Sequence, residues 1–294
     1  MIILRYSYLL FAICLILSLS ACEPGARAAA NSTDTTTLAT SSPEPTTTLT
    51  ITLSPTPLAC WQEGGTLLEE EISSELVASP FEFLVYLPPC YHRQPDRSYP
   101  VLYLIHGQSF NHDQWGRLGV DEVSDALIAS GEIAPYILVM PRVIDWAEPP
   151  EAKFGEALLD ELIPYIDARY RTLTEREFRA VGGLSRGAAW ALHLGLESWE
   201  MFGAMGAHSL PIFRKDAPFV QGWVEAIPEK SFPRIYIDMA EQDLKGVRRS
   251  TEWFIKLLVE KEFPHQFFVF PGIHNEDYWS AHVEEYIRFY TQEW

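Results

Sequence analysis

The stretch FRAVGGLSRGAAWAL, residues 178–192, decides the fold. FRAV is a short strand-like run, and the alanine-rich segment from Ala188 to Leu192 favours helix. Between them stands Gly183-Leu184-Ser185-Arg186-Gly187, a serine flanked by glycines in a G-x-S-x-G pattern. A strand that enters a sharp turn and leaves as a helix lifts the turn serine above the sheet edge, and the glycines leave room for neighbouring backbone. The helix that opens at Arg186 aims its free N–H groups at the same place. The pattern alone is weak. Its strand–turn–helix setting makes Ser185 a candidate nucleophile.

Outward from this turn the chain alternates strand-like and helix-like segments. FEFLVYLPP (81–89) is an apolar alternation closed by prolines. YPVLYLIHG (99–107) and YILVMP (136–141) are continuous apolar runs, as buried parallel strands require. FGAMGAHS (202–209), RIYIDMA (234–240) and QFFVFPG (266–272) predict three more strands. Helices are predicted over 120–130, over 154–170, and at about 247–262 and 279–290; in the second, Leu158, Leu162 and Ile166 recur at helical spacing. The alternation predicts a mainly parallel α/β sheet of about eight strands with helices on both faces, in one domain over residues 58–294.

A serine hydroxyl is a poor nucleophile near neutral pH, so it needs a base, and the base needs an orienting carboxylate. On such a sheet the order along the chain is serine, acid, histidine, with the last two past the ends of later strands. Asp243 follows RIYIDMAEQ and His274 follows QFFVFPGI. Asp238 falls inside its strand, while Glu241, just past the strand end, is the rival carboxylate. His282 falls on the last helix and His208 ends its own strand; His92, His112, His193 and His265 have no comparable placement. An oxyanion needs two donors. One is the backbone N–H of Arg186, and the other is that of Gln108 in the loop His106-Gly107-Gln108. The pocket is expected from loops at about 108–118, 142–153 and 209–233, which carry Trp115, Trp146, Phe213, Phe219 and Trp223.

Taken together, YPVLYLIHG, ELIPYIDARYR, VGGLSRGAA, IDMAEQD and GIHNEDYW resemble the putative-esterase family of the α/β-hydrolase superfamily, over roughly Phe81 to Tyr290. That family includes esterase D-like S-formylglutathione hydrolases, enterochelin esterases, feruloyl esterases and mycolyltransferases. The resemblance implies an α/β-hydrolase fold and cleavage of carboxylic esters through an acyl-enzyme. It implies Ser185 as nucleophile, Asp243 as acid, His274 as base, and the Gln108 and Arg186 amides as oxyanion donors. One position departs: the family often has glycine three residues before the acid, and this chain has Ala240. Two alternatives stay open: an acyltransferase with the same triad and a sugar or lipid acceptor, and a non-catalytic surface binding protein on the same fold.

The chain's ends and composition bound the setting. Arg5 is the only charge before an apolar run from Tyr6 to Ala21, which fits a secretory signal over 1–21. The run ends Leu19-Ser20-Ala21-Cys22 and resembles a bacterial lipobox, with Cys22 as the lipid-modified residue. Residues 22–57 are rich in Ser, Thr and Pro and are expected to be a disordered tether. This arrangement predicts an exported, membrane-anchored domain whose substrate is a small-molecule or polysaccharide-linked ester. Cys60 and Cys90 are expected to pair in an oxidising compartment. With a net charge of −18 and no basic run, no nucleic-acid partner is expected. HExxH, cysteine clusters and nucleotide-binding glycine motifs are absent from the sequence, so neither metal nor cofactor is expected.

Overall fold

The computed structural model describes residues 59–294; the signal-like segment 1–21, Cys22 and the whole of the expected tether 22–57 lie outside the described residues. The strands are β1 (Thr66–Ile72), β2 (Phe81–Leu87), β3 (Val101–Ile105), β4 (Ile137–Pro141), β5 (Arg179–Leu184), β6 (Ala204–His208), β7 (Arg234–Gln242) and β8 (Gln266–Ile273). They form one eight-stranded sheet in the order β1-β2-β4-β3-β5-β6-β7-β8. β2 pairs antiparallel with β1 and with β4, and every other pair is parallel. The helices are α1 (Gln114–Arg117), α2 (Val120–Ala129), α3 (Phe154–Ala157), α4 (Ile163–Arg169), α5 (Arg186–Glu197), α6 (Val220–Ala226), α7 (Lys245–Glu260), α8 (Glu276–Ser280) and α9 (Val283–Thr291).

The continuous apolar runs become central strands because both sheet faces are covered. Along β3, Val101, Tyr103 and Ile105 enter one core with residues of α3 to α7. Leu102 and Leu104 enter the other with residues of α1, α2, α8 and α9. Successive side chains on a strand point to opposite faces, so a strand inside such a sandwich must be apolar throughout. Each fully buried aliphatic side chain contributes roughly 1.5–3 kcal/mol before entropy is set against it. Gly182 of β5 lies opposite Gly206 of β6, and a Cβ on either would sit within 2 Å of the Tyr290 hydroxyl. The two glycines thus let α9 seat directly on the sheet centre.

Two predicted helices differ from the structure. The segment 154–170 is interrupted by a π-helical turn at Leu158–Leu162 between α3 and α4. Pro164 stands at the start of α4, where its ring cannot serve an intrahelical hydrogen bond, and the ladder widens just before it. The segment 279–290 is two helices: α8 begins early because Asn275 caps it, accepting from the Tyr278 N–H at 3.1 Å. The chain turns at Ala281 and His282 before α9. Cys60 and Cys90 form a disulfide that joins the turn before β1 to the turn after β2, with Cα atoms 5.1 Å apart.

Parallel strands deliver their following loops to one edge of the sheet. The loops after β3, β5, β6, β7 and β8 carry Gln108, Ser185, Ser209, Asp243 and His274, so residues far apart in sequence converge there.

Candidate active site

Ser185 occupies the turn between β5 and α5 with φ 52° and ψ −121°, a left-handed backbone that a non-glycine residue adopts only under constraint. Its N–H donates to the His208 carbonyl at 2.8 Å, and its own carbonyl accepts from the Ala188 N–H at 2.8 Å. The flanking glycines answer to space. A Cβ at Gly183 would lie 2.3 Å from the Gly187 carbonyl carbon, and a Cβ at Gly187 would lie 2.1 Å from the Ile105 oxygen. The turn is where β5, α5 and β3 meet backbone to backbone.

Ser185 Oγ lies 2.9 Å from His274 Nε2. His274 Nδ1 lies 2.6 Å from Asp243 Oδ1. With its Nδ1–H given to Asp243, the ring leaves Nε2 free to accept the serine proton. Asp243 is buried and also accepts from the Ser209 hydroxyl at 2.6 Å, the Leu244 N–H at 2.7 Å and the Ala240 N–H at 3.3 Å. Burial pushes its carboxyl up, but the bonds from His274 and Ser209 outweigh that and hold it below the usual carboxylate range. Ala240, standing where the family often has glycine, is accommodated in this turn as a donor. Trp279 meets the His274 ring edge-on at 4.9 Å and donates from Nε1 to Ser209 Oγ at 3.2 Å.

The rival residues lie elsewhere. Glu241 is exposed. Asp238 is wholly buried behind the site, bonded to His208 Nδ1 at 2.7 Å and accepting from the hydroxyls of Tyr278 and Tyr286. His208 is held at its other nitrogen by Tyr290, and His282 stacks on Phe270 at 4.1 Å.

The loop after β3 is locked from two sides. Gly107 donates its N–H to Gln114 Oε1 at 2.8 Å and accepts from His106 Nδ1 at 2.8 Å. His106 Nε2 accepts from the Val143 N–H at 2.9 Å, and burial lowers this imidazole to about 4. A Cβ at Gly107 would stand 3.6 Å from the Ser185 Cβ, so the loop runs beside the serine. The next amide, that of Gln108, donates to no protein group among the described residues. Arg186, first residue of α5, has an N–H with no partner within its own helix. Gln114 is wholly buried, and its Nε2 donates to Glu276 at 3.1 Å, which also takes Arg117 at 2.8 Å. It therefore ties the Gly107 loop to the loop that carries His274. Ser209, Gln114, Glu276 and Trp279 were not found by sequence reasoning; no local motif marks them, because each acts on a residue distant in the chain.

A cavity of about 250 Å³ opens beside Ser185, walled by Gln108, Arg142, Asp145, Trp146, Arg186 and Trp190 among others. The first two expected loops supply it, and Trp146 stands exposed at its rim. Four of the five expected aromatics do not line it. Trp115 is buried in the opposite core and donates to the Ile105 carbonyl at 3.1 Å. Phe219 and Trp223 stack on each other beside a separate groove that contains His193. Phe213 reaches the cavity's surroundings through Arg186, whose guanidinium carbon lies 5.0 Å from its ring centre. Trp115 and Phe213 are buried in packed cores, where aromatic rings bury most area, whereas Phe219 stays exposed.

The strand order, the turn at Ser185 and the loops at the carboxyl ends of the strands define an α/β-hydrolase fold. The sequence matches the family described as "Putative esterase" over residues 73–290, and the chain belongs to that family. It is 37% identical over 139 residues to an endo-1,4-beta-xylanase/feruloyl esterase of Xylanibacter ruminicola, covering 42% of this chain and 18% of that protein. An esterase of Mycobacterium tuberculosis is 33% identical over 150 residues, 47% of this chain and 31% of that protein. The chain thus spans less than a third of the length of these curated relatives. Among solved structures, a ferulic acid esterase is 26% identical with a TM-score of 0.69, covering 78% of this chain and 98% of its own. An S-formylglutathione hydrolase of Staphylococcus aureus shares the fold at 16% identity and a TM-score of 0.61, covering 77% of this chain and 98% of its own.

Proposed function

We propose that this protein is a serine hydrolase that cleaves carboxylic esters through an acyl-enzyme on Ser185. The observation that carries the reading is the unbroken hydrogen-bond chain from Ser185 through His274 to Asp243, at 2.9 and 2.6 Å. Family membership and relatives named as esterases point the same way.

In this mechanism His274 Nε2 takes the Ser185 proton as Oγ attacks the ester carbonyl. The Gln108 and Arg186 amides bind the tetrahedral oxyanion, and Asp243 stabilises the imidazolium without taking its proton. His274 then protonates the leaving alkoxide. Water attacks the acyl-enzyme by the same route, returning the serine and releasing a carboxylic acid. The test is turnover of p-nitrophenyl acetate, butyrate and octanoate by the full chain beside Ser185→Ala. The variant is expected to lose about 10⁵-fold or more in kcat with thermal unfolding nearly unchanged. Turnover retained by the variant would refute the nucleophile.

We further propose display outside the cytoplasm, with Cys22 lipid-modified and residues 22–57 as a stalk. The apolar run before Leu19-Ser20-Ala21-Cys22 supports this. The alcohol half of the ester is then a small-molecule or polysaccharide-linked hydroxyl met in that compartment. Cys22→Ala should move the protein from the membrane fraction to the soluble one; a variant that stays bound defeats the lipid anchor.

A further inference from the structure

α5 brings two donors without acceptors to one cavity. Arg186 and Trp190 stand one helical turn apart, so their side chains share a face. Both line the cavity beside Ser185. The Arg186 guanidinium is half-buried, donates from Nη2 to the Ala147 carbonyl and lies over the Phe213 ring. Its Nε and Nη1 meet no protein acceptor, and no carboxylate lies within ion-pair distance of it among the described residues. Arg142, on the same wall, differs: it is paired with Glu82.

Two carboxylates act on Arg186 through space without touching it. Asp145 is engaged by the Ala147 N–H at 2.8 Å, and Glu148 by the Lys215 N–H at 3.1 Å. Trp190 is wholly buried, its ring fixed edge-on by Phe154, Phe213 and His193 at 5.0, 5.2 and 5.6 Å. Its indole N–H has no acceptor among the described residues. A half-desolvated cation and a buried donor left unpartnered are both unfavourable, and burial already depresses the Arg186 pKa. A ligand carboxylate in the cavity relieves the cation.

The cavity also has a direction. The leaving alcohol must sit at His274 Nε2 to take its proton. His274 does not line the cavity, whereas Gly107, Gln108 and Arg186 do. The acyl half of the ester therefore points into it.

We propose that this cavity is an acyl subsite for a group that ends in a carboxylate, with the Arg186 guanidinium as its specificity-determining cation. The proposal rests on the esterase reading and narrows its acyl half. The substrate is a half-ester of a dicarboxylic acid. Water adds across the scissile bond, giving the alcohol and the free diacid, with no change of oxidation state.

The test compares monophenyl adipate, whose far end is a carboxylate, with phenyl methyl adipate, whose far end is a neutral ester. The full chain is used, and the readout is the ratio of kcat/KM values for phenol release. The anion should be favoured by about tenfold or more at low salt, less as salt rises. Arg186→Met should bring the ratio to about one, and Arg186→Lys should keep an intermediate, salt-sensitive ratio. Calorimetric binding of monophenyl adipate to Ser185→Ala reads the site without turnover, and adding Arg186→Met should abolish it. A wild-type ratio at or below one, with Ser185-dependent release from both esters, overturns the subsite and leaves the esterase reading standing. Absence of Ser185-dependent release from both adipates, with p-nitrophenyl acetate still turned over, overturns the subsite alone; loss of p-nitrophenyl ester turnover as well overturns both.

Discussion

Asp243 shows how one carboxylate is distinguished from two neighbours on the same strand and loop. Asp238 points into the core and is consumed by His208 and two tyrosines. Glu241 faces solvent. Asp243 alone meets His274, and Ser209 and the Leu244 amide hold it charged. Asn in its place would keep the shape but favour the wrong imidazole tautomer. Asp243→Asn is therefore expected to lower kcat by about 10⁴-fold, while Glu241→Gln stays within about twofold. Steady-state kinetics of the two variants checks this; the reverse pattern would exchange their roles. Ser209 is itself held at φ 57°, a constrained backbone that aims its hydroxyl at Asp243.

At the scale of elements, the site depends on how closely β5, α5 and β3 approach. A Cβ at Gly187 would overlap the Ile105 carbonyl oxygen, and backbone cannot yield as a flexible side chain can. Gly187→Ala should cost about 3 kcal/mol or more of stability, measurable by urea unfolding. The loop after β3 adds a pH dependence. The His106 imidazole falls from 6.5 to about 4 because burial disfavours its cation. The unfolded chain binds this proton at the higher pH and the native chain only at the lower one. The stabilising contribution is thus fully present above about pH 6.5 and is lost as pH falls towards about 4, on the order of 3 kcal/mol in all. Urea unfolding across that window should show the decline, and His106→Gln should flatten it. An unchanged slope in the variant would assign the acid sensitivity to another group.

At the scale of the whole fold, the described residues form a sheet with two cores, stapled at its antiparallel end. The Cys60–Cys90 link closes a loop with a sequence separation of 30. Replacing both cysteines by alanine should lower stability by roughly 3–4 kcal/mol through the freed unfolded chain, seen as a fall in the urea midpoint. Titration of unreduced native protein should find neither thiol of this pair. At the opposite end β8 is the sheet's edge, with Phe268, Val269 and Ile273 partly exposed. Its apolar sequence, QFFVFPG, resembles that of a central strand, although its position leaves it at the rim.

The strand–turn–helix at Ser185, the alternation of elements and the chain order of Ser185, Asp243 and His274 were legible in the sequence. Apolar periodicity, glycine punctuation and strand-end position are local properties that a linear chain displays. The break at Pro164 and the start of α8 at Asn275 also had local causes, but they act over single turns that a longer periodic pattern conceals. Which aromatics line the cavity was settled by tertiary structure, which sends Trp115 to the opposite core and Phe219 and Trp223 to another groove. The clamp from Gly107 through Gln114 to Glu276 likewise joins residues up to 162 positions apart. The sequence by itself determined the elements and the candidate chemistry, because those follow from neighbours along the chain. The supporting hydrogen bonds, the unpartnered donors on α5 and the shape of the cavity beside Ser185 were decided by tertiary structure, because each depends on which distant side chains the packed sheet brings within reach.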